Sequence, residues 1–380
     1  MSQDAFVVTV NIIKMSVIFL LMVQLVPLLV WVERRGSAFI QNRFGPNRVG
    51  PLGLLQLLAD AVKFAFKEEF VPGKSHKGFF YMAPVIALLP GVLAFGTIPL
   101  SIPFTLINEG VSHTFSTQVF DLGIGIVFVL GVSSLGAYAL LLAGWGSANK
   151  FSLFGALRAS AQMISYELAL GLSLVGIILC FGTFNFTEMI AAQQAPLNFF
   201  FLGQEYTFLS FLPAWGIFYQ PLGALLFFVA VFAETNRLPF DLPEAEAELV
   251  AGYHTEYGGL KMLMFYIGEY GHMMVASALM ATFYFGGYTI PGLTVEGVQE
   301  FFSQTLAIES VNLISIFTML VFHLVLMTKV ILFLWIFIWV RWTLPRFRYD
   351  QLMDLGWKKM LPWAILNTVL TAVFLLARGV

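Results

Sequence analysis

The chain has 380 residues, of which 59% are hydrophobic and 11% are charged, with a mean hydropathy of +0.84 and a net charge of −2. Soluble domains contain only about 45–50% apolar residues, so this composition excludes an ordinary soluble protein and predicts an integral membrane protein. One cysteine, Cys180, excludes an internal disulfide framework and any iron–sulfur cluster ligated by cysteines of this chain.

Apolar runs long enough to cross a bilayer recur along the chain. About 20 consecutive apolar residues span the hydrocarbon core as a helix, and continuous runs exclude the alternating pattern of a transmembrane barrel. The predicted fold is all-α and integral to the membrane, with eight transmembrane helices in one polytopic domain over residues 1–380. The predicted spans are residues 8–32, 80–100, 122–142, 161–181, 220–233, 262–285, 314–340 and 361–376.

Lysine and arginine are concentrated on alternate loops. Seventeen of the 20 basic residues lie in four segments, at residues 33–79, 144–160, 234–261 and 341–360. The loops on the opposite side contain no lysine or arginine; they cover about residues 101–121, 182–219 and 286–313. Because basic loops remain on the cytoplasmic side, we expect both termini on the outer, periplasmic side.

The first basic loop combines a series of turns with an amphipathic helix. Glycine, proline and asparagine punctuate residues 42–53, which predicts consecutive turns. Residues 54–67 then place apolar side chains on one helix face and Asp60, Lys63 and Lys67 on the other. Such a helix lies in the plane of the membrane interface. It is either an anchor or the lid or floor of a site that opens there.

The segment 234–248 concentrates acidic residues directly after the fifth predicted span. Asp241 and Glu244, with Pro243 between them, resemble a capping box and predict a short helix over about residues 243–252. Closely spaced carboxylates raise one another's pKa, which suits proton transfer near neutral pH. The alternative interpretation is a solvated acidic helix. The charged residues of this segment are Glu234, Arg237, Asp241, Glu244, Glu246 and Glu248.

Titratable residues also fall inside the predicted spans. A charge near the bilayer centre costs on the order of 3 kcal/mol, so such residues face the protein interior, pair, or line a hydrated path. We interpret Glu167 and Glu269 as members of a proton or ion relay. For Lys329, the structural alternative is a pair with one acid that locks helices together. His272 and His323 are interpreted first as packing or hydrogen-bonding residues.

Four long motifs carry a resemblance to a known family. They are Glu33-Arg-Arg-Gly36, residues 43–53 (RFGPNRVGPLG), residues 234–257 (ETNRLPFDLPEAEAELVAGYHTEY) and residues 341–353 (RWTLPRFRYDQLM). Together with Asp60 and Lys63, they closely resemble the family of quinone-site membrane subunits of respiratory complex I, known as subunit 1. The resemblance runs from about residue 27 to residue 361.

The resemblance implies a position beneath a hydrophilic arm that carries flavin and iron–sulfur clusters. A quinone chamber would be lined or supported by Glu33, Arg34, Arg35, Arg48, Asp60 and Lys63. An acidic funnel beside it would contain Glu234, Arg237, Asp241, Glu244, Glu246 and Glu248. A proton path through Glu167, Glu269 and Lys329 would lead toward antiporter-like subunits, with Lys329 as an intramembrane partner of the acids.

The predicted function is therefore that of the quinone-binding membrane subunit of a proton-translocating NADH:quinone oxidoreductase, in the bacterial inner membrane. Quinone is the expected ligand, whereas NADH, FMN and iron–sulfur clusters belong to partner subunits of the arm. The other expected partners are small membrane subunits and antiporter-like subunits. The sequence contains no motif for a nucleotide, flavin or zinc site, and nothing in it indicates nucleic-acid binding. Two alternatives are the membrane subunit of a related hydrogenase-type complex and a stand-alone ion transporter, which the absence of internal repeats disfavours.

Overall fold

The computed structural model describes residues 3–197, 199–201, 204–206, 211–241, 250–306, 308 and 310–378. The α-helices of this described part are α1 (Gln3–Ile40), α2 (Gln56–Phe66), α3 (Lys77–Thr97), α4 (Gly125–Ser133), α5 (Leu135–Gly146), α6 (Lys150–Phe181), α7 (Phe186–Ala192), α8 (Gly216–Tyr219), α9 (Pro221–Glu234), α10 (Gly259–Tyr284), α11 (Val295–Glu300), α12 (Val311–Thr343), α13 (Tyr349–Asp354) and α14 (Leu361–Arg378). Short 3₁₀ helices occupy Pro51–Gly53 and Gly252–His254, and short π-helices occupy Phe301–Thr305 and Leu355–Met360.

By length and composition, six helical segments of the described chain can cross a membrane. They are Gln3–Ile40, Lys77–Thr97, Gly125–Gly146, Lys150–Phe181, Val311–Thr343 and Tyr349–Ala377. The two other predicted spans coincide with α9, which is apolar but only 14 residues long, and with α10, which has 26 residues and carries Lys261 and Glu269. The predicted class, an all-α membrane protein with several spans, is confirmed.

The amphipathic helix predicted over residues 54–67 is confirmed as α2. None of its residues is buried within the chain, and the apolar side chains of Leu58, Val62 and Phe66 are 64%, 55% and 86% exposed. An apolar face left uncovered by its own chain suits a helix that rests on lipid or on another subunit.

Two short hairpins on the side opposite the basic loops had no counterpart in the sequence prediction. β1 (Phe104–Asn108) pairs antiparallel with β2 (Val111–Phe115), and β3 (Phe199–Phe201) pairs with β4 (Gln204–Tyr206). Asn312, at the start of α12, fixes the first hairpin. Its amide accepts from the Ile107 N–H at 2.7 Å and donates to the Ile107 carbonyl at 3.0 Å, as a neighbouring strand would.

The core is a layered helix bundle in which α10 packs against α3, α1 and α12, while α6 packs against α5, α9 and α14. Small residues let the central helices approach closely. A Cβ atom on Gly268 would lie 2.6 Å from the carbonyl oxygen of Ala87, so the backbones of α10 and α3 are in contact there. This contact fixes the position of Glu269, the next residue along α10.

Candidate functional site

A buried cluster of charged side chains lies where α1 and α12 end, next to α10 and the loop after α9. Arg237 Nε is 3.0 Å from Glu269 Oε1, and Arg237 Nη1 is 3.7 Å from Glu33 Oε2. Arg237 and Glu33 are only 5% and 7% exposed. Because an unpaired buried charge costs several kcal/mol, each of these groups depends on the others.

Two further side chains complete this cluster around Glu33. The Tyr270 hydroxyl donates to Glu33 Oε2 at 2.7 Å, and Arg341 forms an ion pair with Glu33 Oε1. The Arg237 guanidinium carbon lies 4.2 Å from the centroid of the Tyr270 ring, in cation–π contact. Two carboxylates, two guanidinium groups and a phenol are thus held together in a buried, charge-balanced unit, hereafter the Glu33 cluster.

A small cavity with both polar and apolar lining residues adjoins the Glu33 cluster. It has a volume of about 40 Å³, and one water needs about 10–15 Å³ of such space, so two or three waters fit. Glu269 belongs to both the cavity and the Glu33 cluster. The polar residues that line the cavity are Glu234, Thr235, Asn236, Tyr253, Glu269 and His272.

The cavity connects to a further acid through Glu234. The Glu234 carboxylate is hydrogen-bonded to Ser133 and interacts electrostatically with Glu167 on α6. Glu234 thus neighbours both Glu269, across the cavity, and Glu167 on α6, and the three are called the acid series.

The backbone of the loop after α9 is fixed by a glutamine that the sequence interpretation did not select. Gln162 is buried on α6, and its side-chain amide donates to the carbonyls of Ala233 at 2.8 Å and Phe240 at 2.7 Å. Both ends of the loop that carries Arg237 are thereby attached to α6, which keeps the guanidinium beside its two carboxylates.

The predicted chamber residues of the first basic loop separate into distinct environments. Arg34 Nη1 is 2.5 Å from Asp60 Oδ2, which ties the end of α1 to α2, and Lys63 Nζ is 3.5 Å from Asp60 Oδ1. Arg35 Nη1 donates to the Leu52 carbonyl at 3.1 Å, and Arg48 is exposed. Of the predicted chamber set, Glu33 alone belongs to the Glu33 cluster.

The ion pair lowers the pKa of Asp60. Partial burial raises this pKa, but hydrogen bonds from Arg34 and Gln56 and the charges of Arg34 and Lys63 outweigh burial, so the pKa lies below its ordinary value of 3.8. Asp60 is therefore ionised throughout the physiological range, and its contact with Arg34 persists there.

An apolar groove of about 150 Å³ runs between α1, α10 and α12. Its lining is almost entirely aliphatic and aromatic, and includes Leu29, Val32, Ala278, Leu334, Trp335 and Ile338. Val32 precedes Glu33 in the chain, and Ile338 lies one helical turn before Arg341. One end of the groove therefore lies within one helical turn, along α1 and α12, of Glu33 and Arg341.

The acidic segment is described only in part. Asp241 is buried, and its Oδ2 is 3.0 Å from Arg346 Nη2, which joins this loop to the segment after α12. The predicted helix over residues 243–252 falls largely on residues 242–249, which lie outside the described residues. Glu244, Glu246 and Glu248 lie there as well.

The expectation that Lys329 pairs with an intramembrane acid is wrong. Within the described residues, its ammonium donates to three backbone carbonyls, those of Phe285 at 2.6 Å, Gly287 at 2.8 Å and Thr289 at 2.6 Å. The turn after α10 frees these carbonyls from helical bonding, and together they solvate the cation. A sequence shows which acids are present, but it does not show where a turn presents its carbonyls.

Tyr270 and Arg341 are the site residues that sequence reasoning passed over. Arg341 was counted among the basic residues that set topology, and Tyr270 stood beside Glu269 in the α10 motif without a role. Arg341 begins the last of the motifs that carry the family resemblance, and Tyr270 follows the intramembrane acid Glu269. Both face Glu33 only after α1, α10 and α12 pack.

Comparisons with known proteins show the family to which the chain belongs. A family model described as NADH dehydrogenase matches residues 13–372. The chain is 62% identical over 380 residues to the H subunit of the NADH-quinone oxidoreductase of Bdellovibrio bacteriovorus, covering 98% of this chain and 97% of the relative. It is also 44% identical over 346 residues to an H subunit of the NADH-quinone oxidoreductase of Cytophaga hutchinsonii, with 91% of each chain covered. A third relative, "NADH-quinone oxidoreductase subunit 8" of Rhodothermus marinus, is 43% identical over 347 residues, again with 91% of each chain covered.

Proposed function

Since this chain belongs to the NADH dehydrogenase family, as a membrane subunit of the NADH-quinone oxidoreductase complex, we propose that it forms the membrane side of a quinone chamber and couples quinone reduction to proton translocation. The observation that carries this proposal is the apolar groove whose lining residues Val32 and Ile338 lie within one helical turn of Glu33 and Arg341. A quinone has an apolar isoprenoid tail and a polar head, so it matches a surface with these two parts.

The groove suits the tail for a physical reason. Its walls, among them Leu29, Ala278 and Trp335, offer almost no polar surface, and each buried CH₂ group of a tail contributes about 0.8 kcal/mol. The uncovered apolar face of α2 lies beside the end of α1 and extends this surface toward the interface. In this proposal, the other predicted chamber residues form the rim of the chamber or support it; they are Arg34, Arg35, Arg48, Asp60 and Lys63.

The Glu33 cluster suits the coupling step. Reduction of a quinone takes up two electrons and two protons, so charge and proton demand change at the head. Arg237 contacts both Glu33 and Glu269, and a change at one carboxylate alters the field at the other because the local dielectric is low. Protons would then be exchanged along Glu269, Glu234 and Glu167; Glu234 and Glu167 interact electrostatically, so the protonation of one affects that of the other.

The remaining predictions complete the proposal. Eight spans, with both termini on the periplasmic side of the bacterial inner membrane, would place the basic loops and the acidic funnel against the hydrophilic arm. That arm would supply NADH, FMN, the terminal iron–sulfur cluster and the quinone ligands. The proton path would continue within the membrane plane into the small membrane subunits and the antiporter-like subunits. Lys329, held by carbonyls at the opposite end of the bundle, is a candidate for the outer end of that path.

The proposal is tested by filling the groove. Ala278 is buried at the groove wall, and Ala278→Phe should raise the KM for a long-tailed quinone about tenfold, since overpacking costs about 1–3 kcal/mol. A short-tailed quinone should be much less affected. The assay compares both quinones in membranes that contain the assembled complex, with NADH oxidation by a flavin-site acceptor as the measure of assembly.

Leu324→Phe provides the matched control, because Leu324 is 63% exposed on the same α12 surface that bears part of the groove. It adds an aromatic ring without filling the groove, so its kinetics should equal those of the parent. If Ala278→Phe affects long-tailed and short-tailed quinones equally, the groove does not hold the tail.

A further inference from the structure

His272 occupies a position that the family resemblance and the proposed function leave unassigned. It lies on α10, three residues after Glu269, so the two side chains share a helix face. Its imidazole forms part of the wall of the cavity that also contains the carboxylates of Glu234 and Glu269. A titratable side chain thus stands between two acids of the series, inside a space large enough for water.

The hydrogen bonding of this imidazole differs from that of the other intramembrane histidine. His323 Nδ1 is 3.2 Å from the carbonyl oxygen of Leu100, a contact that fixes its ring. Within the part of the chain that the structure describes, no residue forms a hydrogen bond with His272. A packing histidine normally satisfies its ring nitrogens with protein groups, and His272 lines the cavity, so its nitrogens can bond water there.

Space beside the ring is kept open by a glycine. A Cβ atom on Gly136 of α5 would lie 3.9 Å from His272 Nε2 and 3.0 Å from the Cε of Met163. A larger residue at position 136 would therefore crowd the Nε2 side of the ring. The absence of a side chain at Gly136 leaves the imidazole accessible from the cavity.

From this placement we propose that His272 is a proton-relay residue between Glu269 and Glu234. A neutral imidazole has one donor and one acceptor nitrogen, so it can take a proton at one nitrogen from a water that has received it from Glu269. The other nitrogen then releases its own proton, through water, to Glu234. One proton enters and one leaves, and exchange of the ring tautomer restores the starting state.

This inference rests on the proposed function, because it requires that the two acids carry protons. It also explains the geometry of the series: Glu269 is engaged by Arg237, whereas Glu234 faces Ser133 and Glu167. His272 and the cavity waters supply the step between these two environments. Without a relay, the acids would be separated by a cavity that holds only two or three waters.

The test substitutes His272→Gln in the complete complex and measures proton translocation per NADH oxidised in sealed vesicles, across a pH series. A general acid–base group raises the rate of a proton-transfer step by about 10²–10⁴-fold. Water in the cavity can replace part of the lost transfer, so we expect about a tenfold fall in coupled turnover. The pH profile should change shape as well, which a purely structural role would not produce. NADH oxidation by a flavin-site acceptor should be unchanged.

His323→Gln is the matched control and should retain the turnover and pH profile of the parent. If His272→Gln lowers the amount of assembled complex, Gly136→Val provides the second variant. The new Cβ itself would only touch His272 Nε2, at 3.9 Å, but the two methyl groups beyond it would crowd the ring without removing the imidazole, so coupled turnover should fall. Glu269→Gln and Glu167→Gln are measured in parallel. If the acid variants are impaired while His272→Gln and Gly136→Val behave like the parent, the relay role of His272 is overturned. If the acid variants behave like the parent, the proposed proton path itself is overturned.

Discussion

At the scale of single residues, the site is built from charges that stabilise one another. Glu33 accepts from Tyr270 and pairs with Arg341 and Arg237, so its buried charge is matched on several sides. Glu33 was expected from the family resemblance, whereas Arg237 and Glu269 also stand out as charged residues beside or inside predicted spans. Tyr270 and Arg341 could not be predicted, since their contacts with Glu33 depend on the packing of helices distant in the chain.

Asp60 gives a prediction at this scale. Because its folded pKa lies below the ordinary value of 3.8, the stabilisation from its pair with Arg34 is complete above that value and is lost as the pH falls through the folded pKa. Asp60→Asn should therefore speed hydrogen exchange in residues 50–66 by the same factor at every pH between 5 and 8. Mass spectrometry after exchange, corrected for intrinsic rates, measures this factor.

The control for Asp60→Asn is Asp354→Asn. Asp354 is paired with Lys358 at 2.8 Å, but both side chains are well exposed, at 60% and 72%. Such surface pairs contribute little, so local exchange there should hardly change. A factor for Asp60→Asn that fades between pH 8 and pH 5 would contradict the lowered pKa.

At the scale of elements, the amphipathic α2 and the intramembrane helices followed from hydropathy and periodicity, because apolar runs and stripes are local properties of sequence. The two hairpins did not. Strands as short as β1 and β2 are specified by tertiary partners, and Asn312 completes the first hairpin from 205 residues away. The environment of Lys329 was missed for the same reason, since it is set by the carbonyls of a turn.

Close helix contact gives the prediction for this scale. In Gly268→Ala, the new Cβ would lie 2.6 Å from the Ala87 carbonyl oxygen, and backbone cannot move aside as a flexible side chain can. Separating α10 from α3 should cost about 1–3 kcal/mol and displace Glu269. The thermal inactivation midpoint of NADH:quinone activity should therefore fall by several degrees, since about 1 kcal/mol shifts such midpoints by roughly 2–4 °C.

Gly171→Ala on α6 serves as the comparison, because a Cβ there would meet nothing within 4 Å. Alanine is favoured over glycine inside helices by about 1 kcal/mol, so this variant should be at least as stable as the parent. Equal midpoints for Gly268→Ala and the parent would show that α10 and α3 can separate without loss.

At the scale of the whole molecule, the basic loops, the Glu33 cluster and the acid series occupy one end of a bundle whose other end carries the hairpins and Lys329. The apolar groove runs between α1, α10 and α12, and its lining reaches to within one helical turn of the Glu33 cluster. This arrangement brings a substrate with an apolar tail to a charge-sensitive site without any redox group on the chain itself. Electron transfer by the rest of the complex would then be coupled to protons through carboxylates that this subunit supplies.

The measurement that tests the coupling most directly is the number of protons translocated per NADH in sealed vesicles containing Glu167→Gln or Glu269→Gln. Glu167→Gln is the cleaner variant, because Glu269→Gln also removes the ion pair with Arg237. The ratio should fall by at least about half in both variants, because loss of a general acid–base group slows proton transfer by about 10²–10⁴-fold. NADH oxidation by a flavin-site acceptor should be retained. A parental ratio in both variants would contradict the proposed path.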